Sequence, residues 1–226
     1  MLWSLPSIPV QSIGYDDAKK LLKGLAGAEA YAGWSGKLGI QYNLGGVVNS
    51  NKKVHLEVNN ELALTKIQNI VGIIRGDVEP DRYVIIGSHR DSMSCGGTDP
   101  SPGIAAMMGV AGAVKETMKA YGWRPRRSII FVSFAASEFG AIGAQEWVEE
   151  HLPKLKNRVV SYLNIDSCVV GADIDATASI PLKKLIAKAL RNVPDPMNPT
   201  NYKRTYFDFW REKSSSSNNK VYFFLN

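Results

Sequence analysis

One imidazole and several carboxylates stand just beyond short apolar runs of this chain. The run Tyr83–Gly87 is followed at once by His89, then by Asp91, and ten residues after His89 by Asp99 in the Gly/Pro loop GGTDPSPG. The run SIIFVSFAAS leads to Glu138, and VVSYLNI leads to Asp166. Histidine nitrogen and carboxylate oxygen are ligands that zinc accepts, and a catalytic zinc keeps one position open. His89, Asp99 and Asp166 would serve one ion. Glu138 offers a carboxylate to a second, with Asp99 able to bridge the two. Paired ions of this kind activate water and polarise a carbonyl together. Asp91, two residues past His89, can accept a hydrogen bond from the other ring nitrogen and fix its tautomer. Singly, each residue has a plainer role: a surface-loop histidine, an Asp–Pro turn former, a carboxylate near a helix start, a turn cap. Their common placement favours the metal reading.

Such ligands need strands that end side by side. From Lys66 the pattern alternates: strand 67–74, turn Glu79-Pro80-Asp81, strand 83–87, ligand loop, helix 103–120, strand 128–134, helix 141–151, strand 159–165 and helix 181–192. Short, branched, apolar strands between helices predict a layered α/β sandwich with its site at the carboxyl ends of the strands. Residues 1–64 read differently. A Pro-punctuated start precedes an amphipathic helix within Gly14–Leu25, with Asp16 or Asp17 as cap. The segments 38–44 and 53–59 alternate as half-buried strands do. After Asn192 the pattern fails. A Pro-rich connection leads to the aromatic run Tyr206–Trp210, then to a serine stretch and a final apolar run, which predicts an irregular tail over 201–226 and a truncated domain.

Composition narrows the function classes. The 226 residues are 45% hydrophobic and 21% charged, which suits one globular domain with a piece of another. The net charge of +6 is spread along the chain, with no aromatic-interleaved basic stripe, so nucleic-acid binding is not expected. No apolar run is long enough to span a bilayer, and the compartment stays open. Two cysteines, Cys95 and Cys168, make no disulfide framework. Each is near a ligand loop, where a zinc role is conceivable; ordinary packing is the expected one.

The stretches VEPDRYVIIGSHRDS, GGTDP, GWRPRRSIIFVSFAASEFGAIGAQEWVEE and YLNIDS resemble the zinc-dependent aminopeptidase and carboxypeptidase family of the glutamate carboxypeptidase II type. The segment LPSIPVQSIGYDDAKKLL is similar to the end of that family's apical domain. The resemblance implies a three-layer α/β/α peptidase fold, with 1–64 a partial apical segment and 65–200 an incomplete peptidase core. It also implies two zinc ions, exopeptidase action on peptides with acidic C-terminal residues, and a homodimeric, membrane-tethered ectodomain. By position, His89 and Asp166 match ligands of one zinc, Asp99 the bridging carboxylate, Glu138 a ligand of the second zinc, and Asp91 the support of the histidine.

Three departures stand out. The family's Glu-Glu-Phe-Gly reads Ser137-Glu138-Phe139-Gly140 here, so serine stands at the general-base position. Serine is too weak a base to take up that proton near neutral pH, and losing such a base costs a factor of roughly 10²–10⁴. The family's other zinc histidine falls beyond the end of this chain, and neither His55 nor His151 replaces it. The Asp-x-x-Ser-Gly turn reads Asp99-Pro-Ser-Pro-Gly103, where Pro102 suits a first helical turn. The expectation is a metallopeptidase fragment with at most one well-formed zinc site and negligible activity. The alternatives are a non-catalytic binding module of the transferrin receptor type, and an incomplete product with an exposed sheet edge.

Overall fold

The computed structural model describes residues 7–46, 48, 53–61, 63–166, 168–169, 176–198, 200–201 and 203–216. The chain divides into two compact units, residues 1–65 and 66–226.

In the first unit, helix α1 spans Tyr15–Leu22. Gly14 occupies its N-cap without a side-chain bond, so Asp16 and Asp17 are not caps but first-turn residues, favoured there by the helix dipole. Neither expected strand forms. Around residues 38–44 there is an isolated bridge from Glu29 to Asn43, and 53–59 belong to no element. Alternation favours a strand only where a neighbouring ladder takes up the backbone bonds, and none of the described residues supplies one.

The second unit is an α/β layer structure. Its strands are β1 (Ile70–Ile74), β2 (Glu79–His89), β3 (Arg127–Phe134) and β4 (Val159–Asn164), in the sheet order β1-β3-β2-β4. β2 runs parallel to both β3 and β4, and β1 is antiparallel to β3. The carboxyl ends of β2, β3 and β4 therefore share one edge. The expected turn at Glu79-Pro80-Asp81 is instead the irregular start of β2, with a register shift between Glu79 and Tyr83. Proline cannot donate to the ladder. Here the Ser128 hydroxyl donates to the Pro80 carbonyl at 2.6 Å and keeps the strand attached.

Helix α2 (Ser101–Tyr121) carries the chain from β2 to β3, and α3 (Ile142–Leu155) carries it back past β2 to β4. Crossovers are right-handed, so two that run in opposite directions place their helices on opposite faces of the sheet. The core lies on the α3 face. There Ile85, Ile130, Val132 and Phe134 are buried, with Ala144, Trp147 and Leu155 of α3 packed against them. The edge of Trp147 meets the Phe134 ring at 5.9 Å between centroids. On the other face Met107 and Gly103 of α2 are buried. Pro102 sits in the first turn of α2, where its missing N–H is not needed.

After β4, a 3₁₀ turn at Ile180–Leu182 leads into α4 (Lys183–Arg191). The tail is not irregular throughout. α5 (Tyr206–Ser216) is a regular helix that packs on α4. A capping box starts it: the Thr205 amide donates to the Asp208 carboxylate at 3.0 Å, and the Asp208 amide to the Thr205 hydroxyl at 3.4 Å. The buried Asp195 carboxylate accepts from Arg204, whose guanidinium also grips Glu212 of α5. The terminal apolar run lies outside the described residues. Cys95 and Cys168 are exposed rather than packed. Among the described residues, no helix is long and apolar enough to cross a membrane.

Candidate metal centre

His89 is the last residue of β2, the central parallel strand, and its side chain is only 7% exposed. Asp99 lies in the loop that enters α2. Asp166 lies two residues past the end of β4. All three thus stand at the carboxyl edge of the parallel strands, where open α/β sheets bind ligands.

At that edge His89, Asp99 and Asp166 converge, with one ligand atom from each within 4.8 Å of the others. His89 Nε2 stands 2.8 Å from Asp99 Oδ1 and 2.8 Å from Asp166 Oδ1. Close backbone packing makes this convergence possible. A Cβ on Gly103 would overlap the carbonyl oxygens of Ile165 and Asp166 and stand 2.8 Å from Ser88 Oγ. Only glycine lets the first turn of α2 approach the Asp166 backbone so closely.

The other ring nitrogen is held by the main chain. His89 Nδ1 is 2.9 Å from the backbone carbonyl of Asp91. A carbonyl only accepts, so Nδ1 carries a hydrogen, and Nε2 is the nitrogen turned toward the two carboxylates. The support expected from the Asp91 side chain thus comes from its main chain, and the carboxylate is 3.7 Å away. That carboxylate is already engaged: Oδ1 accepts from the Ser137 amide at 2.9 Å and Oδ2 from the Glu138 amide at 3.0 Å. Burial opposes charge on Asp91, yet the two amides outweigh it and hold the carboxyl below the usual aspartate value. Burial likewise opposes charge on His89, but the Asp166 carboxylate, the Asp91 carbonyl and Asp99 together hold its pKa above the ordinary histidine value.

These observations test the fit of a cation. One N–H on Nε2 could satisfy one carboxylate oxygen, not two. Asp166 Oδ1 is buried and has no hydrogen-bond partner, a costly condition for a charged atom. A divalent ion shared by the three donors removes both problems. One nitrogen with two carboxylate oxygens is a donor set that zinc accepts. The Asp99 and Asp166 side chains are 51% and 37% exposed, which leaves a solvent-facing side.

The turn after β3 presents residue 137. Ala136 and Ala141, which flank this segment, have φ of 52° and 56°. Left-handed backbone costs a non-glycine residue about 1–2 kcal/mol, so the surroundings must hold the turn in place. Its amides reach Asp91, as described. The Glu138 side chain does not belong to the three-donor group. His151 serves elsewhere, stacked on Trp147 at 5.2 Å with Nδ1 on the Trp147 carbonyl.

Polar residues that the sequence pattern did not single out tie these loops together. Asn69 bonds the Ala135 amide and the Gly143 carbonyl. Arg90 bonds Ser133 Oγ at 2.8 Å and the Gln68 carbonyl at 3.0 Å. Asn69 follows Gln68 just before the apolar run of β1, and nothing in its sequence neighbourhood marks it out.

An α/β sheet with a His/Asp/Asp donor group at its carboxyl edge defines a class, α/β domains with a candidate metal centre, and sequence comparison gives the family. Residues 69–217 match peptidase family M28, and the chain belongs to that family. Aminopeptidase NAALADL1 of Mus musculus is 43% identical over 198 residues, 84% of this chain and 27% of its own length. The glutamate carboxypeptidase 2 homolog of Caenorhabditis briggsae is 36% identical over 211 residues, 92% of this chain and 27% of its own. The probable glutamate carboxypeptidase LAMP1 of Arabidopsis thaliana is 39% identical over 215 residues, 94% and 29% respectively. The chain thus spans less than a third of the length of each of these relatives.

Proposed function

We propose that this chain carries one zinc site of a glutamate carboxypeptidase-like exopeptidase, held by His89, Asp99 and Asp166, and that Ser137 leaves its catalysis impaired. The observation that carries the reading is the convergence of two carboxylate oxygens on His89 Nε2, one of them buried and otherwise unpartnered. When bound there, zinc supplies Lewis-acid polarisation of a peptide carbonyl and lowers the pKa of water. The chain's own residues do the rest. Nδ1–H of His89 donates a hydrogen bond to the Asp91 carbonyl, which leaves Nε2 as the nitrogen that would ligate. The Asp91 carboxylate holds the Ser137–Glu138 turn against the site. Residue 137 is then where a base would receive a proton. A serine hydroxyl is too weak a base to accept one near neutral pH, a deficit of roughly 10²–10⁴ in rate.

By the family resemblance Glu138 stands at the ligand position of a second zinc, a site not expected to be well formed in this chain. Peptides with acidic C-terminal residues as substrates, and a homodimeric assembly, rest on the family resemblance. Ser137 also favours a non-catalytic binding role, while the intact donor set argues for the peptidase lineage. Metal analysis of the purified 226-residue chain tests the site. One zinc per folded chain, lost in Asp166→Ala, is expected. A folded wild-type sample that retains no zinc after gentle dialysis overturns the proposal.

A further inference from the structure

We infer that Asn69 is the positioning residue that fixes the orientation of the Ser137–Glu138 turn and, through it, of the metal-binding histidine. The inference rests on the cation site proposed for His89, Asp99 and Asp166.

Asn69 directly precedes β1, at the same edge of the sheet as the site. Its side chain spans the turn from one end to the other. Oδ1 accepts from the Ala135 amide at 3.0 Å, just after β3, and Nδ2 donates to the Gly143 carbonyl at 2.8 Å, in the first turn of α3. One amide side chain therefore pins both ends of a nine-residue excursion, 135–143. The Gly143 amide closes the same loop onto the Ala135 carbonyl at 3.0 Å. No larger residue fits at 143, because an added Cβ would overlap that carbonyl and stand 2.6 Å from Asn69 Oδ1.

The excursion needs such a clamp. It holds Ala136 and Ala141 in the left-handed region, which alanine leaves when it is free to do so. Relaxation of Ala136 to ordinary φ rotates the peptide planes that follow. Those planes carry the Ser137 and Glu138 amides, the two donors to the Asp91 carboxylate. Asp91 in turn supplies the carbonyl that accepts from His89 Nδ1. A second tie acts in parallel from the neighbouring residue. The Gln68 carbonyl accepts from Arg90, which adjoins His89 and also bonds Ser133. The segment 68–69 thus braces two site-bearing loops at once. Asn69 touches neither ion nor substrate, and acts only through the turn.

The test compares the wild-type chain with Asn69→Ala and with Leu190→Ala, a cavity variant in α4 that lowers stability without touching the turn. Amide hydrogen exchange, resolved by residue, is read without metal. Asn69→Ala is expected to speed exchange at the Ser137 and Glu138 amides by roughly tenfold or more relative to Val132 of β3. Leu190→Ala is expected to leave that ratio unchanged. Asn69→Asp keeps the acceptor for Ala135 and loses the donor to Gly143, so an intermediate rise is expected; it also serves if the alanine variant does not fold. The second arm measures zinc affinity by chelator competition. A loss of roughly 10–100-fold is expected for Asn69→Ala, the range typical when the support of a ligand is removed. Unchanged exchange at Ser137 and Glu138 in both Asn69 variants overturns the inference. Unchanged zinc affinity despite faster exchange overturns its link to the histidine. A wild-type chain that binds no zinc defeats the site proposal instead, and the exchange arm still decides whether Asn69 holds the turn.

Discussion

Gly103→Ala and Gly109→Ala make the same chemical change in the same helix, α2, and should have opposite effects. Helix propensity alone predicts that both stabilise, since glycine in a helix interior costs up to about 1 kcal/mol relative to alanine. At Gly109 nothing lies within 4 Å of the added Cβ, so a gain of about 0.5–1 kcal/mol is expected. At Gly103 the new carbon overlaps the carbonyl oxygens of Ile165 and Asp166 and presses on Ser88 Oγ at 2.8 Å. Ordinary carbon contacts lie near 3.5–4.0 Å, so relief requires the helix start and the Asp166 backbone to part by on the order of 1 Å. Two of the three colliding atoms are main-chain and cannot swing away. Overpacking of this kind costs about 1–3 kcal/mol, and the upper part of that range applies here. After the propensity gain is subtracted, a net loss of about 1–2 kcal/mol remains. Urea titration should lower the Gly103→Ala midpoint by roughly 0.5–1 M at an m-value of about 2 kcal/mol/M, and raise that of Gly109→Ala. The same displacement separates Asp99 from Asp166, whereas ligand distances tolerate only about 0.2 Å, so zinc affinity should fall with stability. A Gly103→Ala protein as stable as wild type, with undiminished zinc binding, would refute the close approach of α2 to Asp166.

Replacing Ser137 with glutamate should raise any peptidase rate of a zinc-loaded protein by roughly 10²–10⁴, in an assay with acidic dipeptides; strong hydrolysis before the change would show that another group serves as base. Trp147→Ala removes the half-buried ring that packs on Phe134, and should cost about 2–3 kcal/mol in urea unfolding, below the 3–5 of a fully buried aromatic. Thr205→Ala breaks the α5 capping box and should destabilise that helix by about 1 kcal/mol, visible as faster amide exchange over 206–216 with β3 unchanged. The Asp208 carboxyl, held below its usual value by the Thr205 hydroxyl and amide, supports α5 above its unfolded pKa and loses that support as pH falls through the folded one. Protection of α5 should therefore drop in acid in the wild type, and less so in Asp208→Asn.

The strands and helices of the second unit were legible because burial enforces their periods. Tyr83–Gly87 and Ser128–Phe134 face core or helix on both sides and so read as unbroken apolar runs. The same logic placed His89 and Asp166 at one edge, since parallel strands end together. Where burial is weak, local alternation misled: residues 53–59 alternate yet have no ladder to join. The Glu79-Pro80-Asp81 segment read as a turn because proline ends most strands, and a single hydroxyl, from Ser128, reversed that outcome. α5 was missed although Thr205-x-x-Asp208 carries a helix-start signal, because the aromatic run beyond it masks the period. Asn69 could not be found from pattern at all. Its role depends on two partners 66 and 74 residues away.

Residue 137 acts on the site in two ways, and they come apart. Its amide donates to Asp91, a task open to any residue but proline, while on the proposed function its side chain decides whether a proton can be taken up. A change from glutamate to serine leaves the first contribution intact, because the left-handed Ala136 and the Asn69 clamp aim the amide whatever the side chain is. The donor group can therefore outlast the loss of the base. The His/Asp/Asp cluster accordingly bears on metal affinity alone, and in the proposed function the identity of residue 137 separately governs turnover.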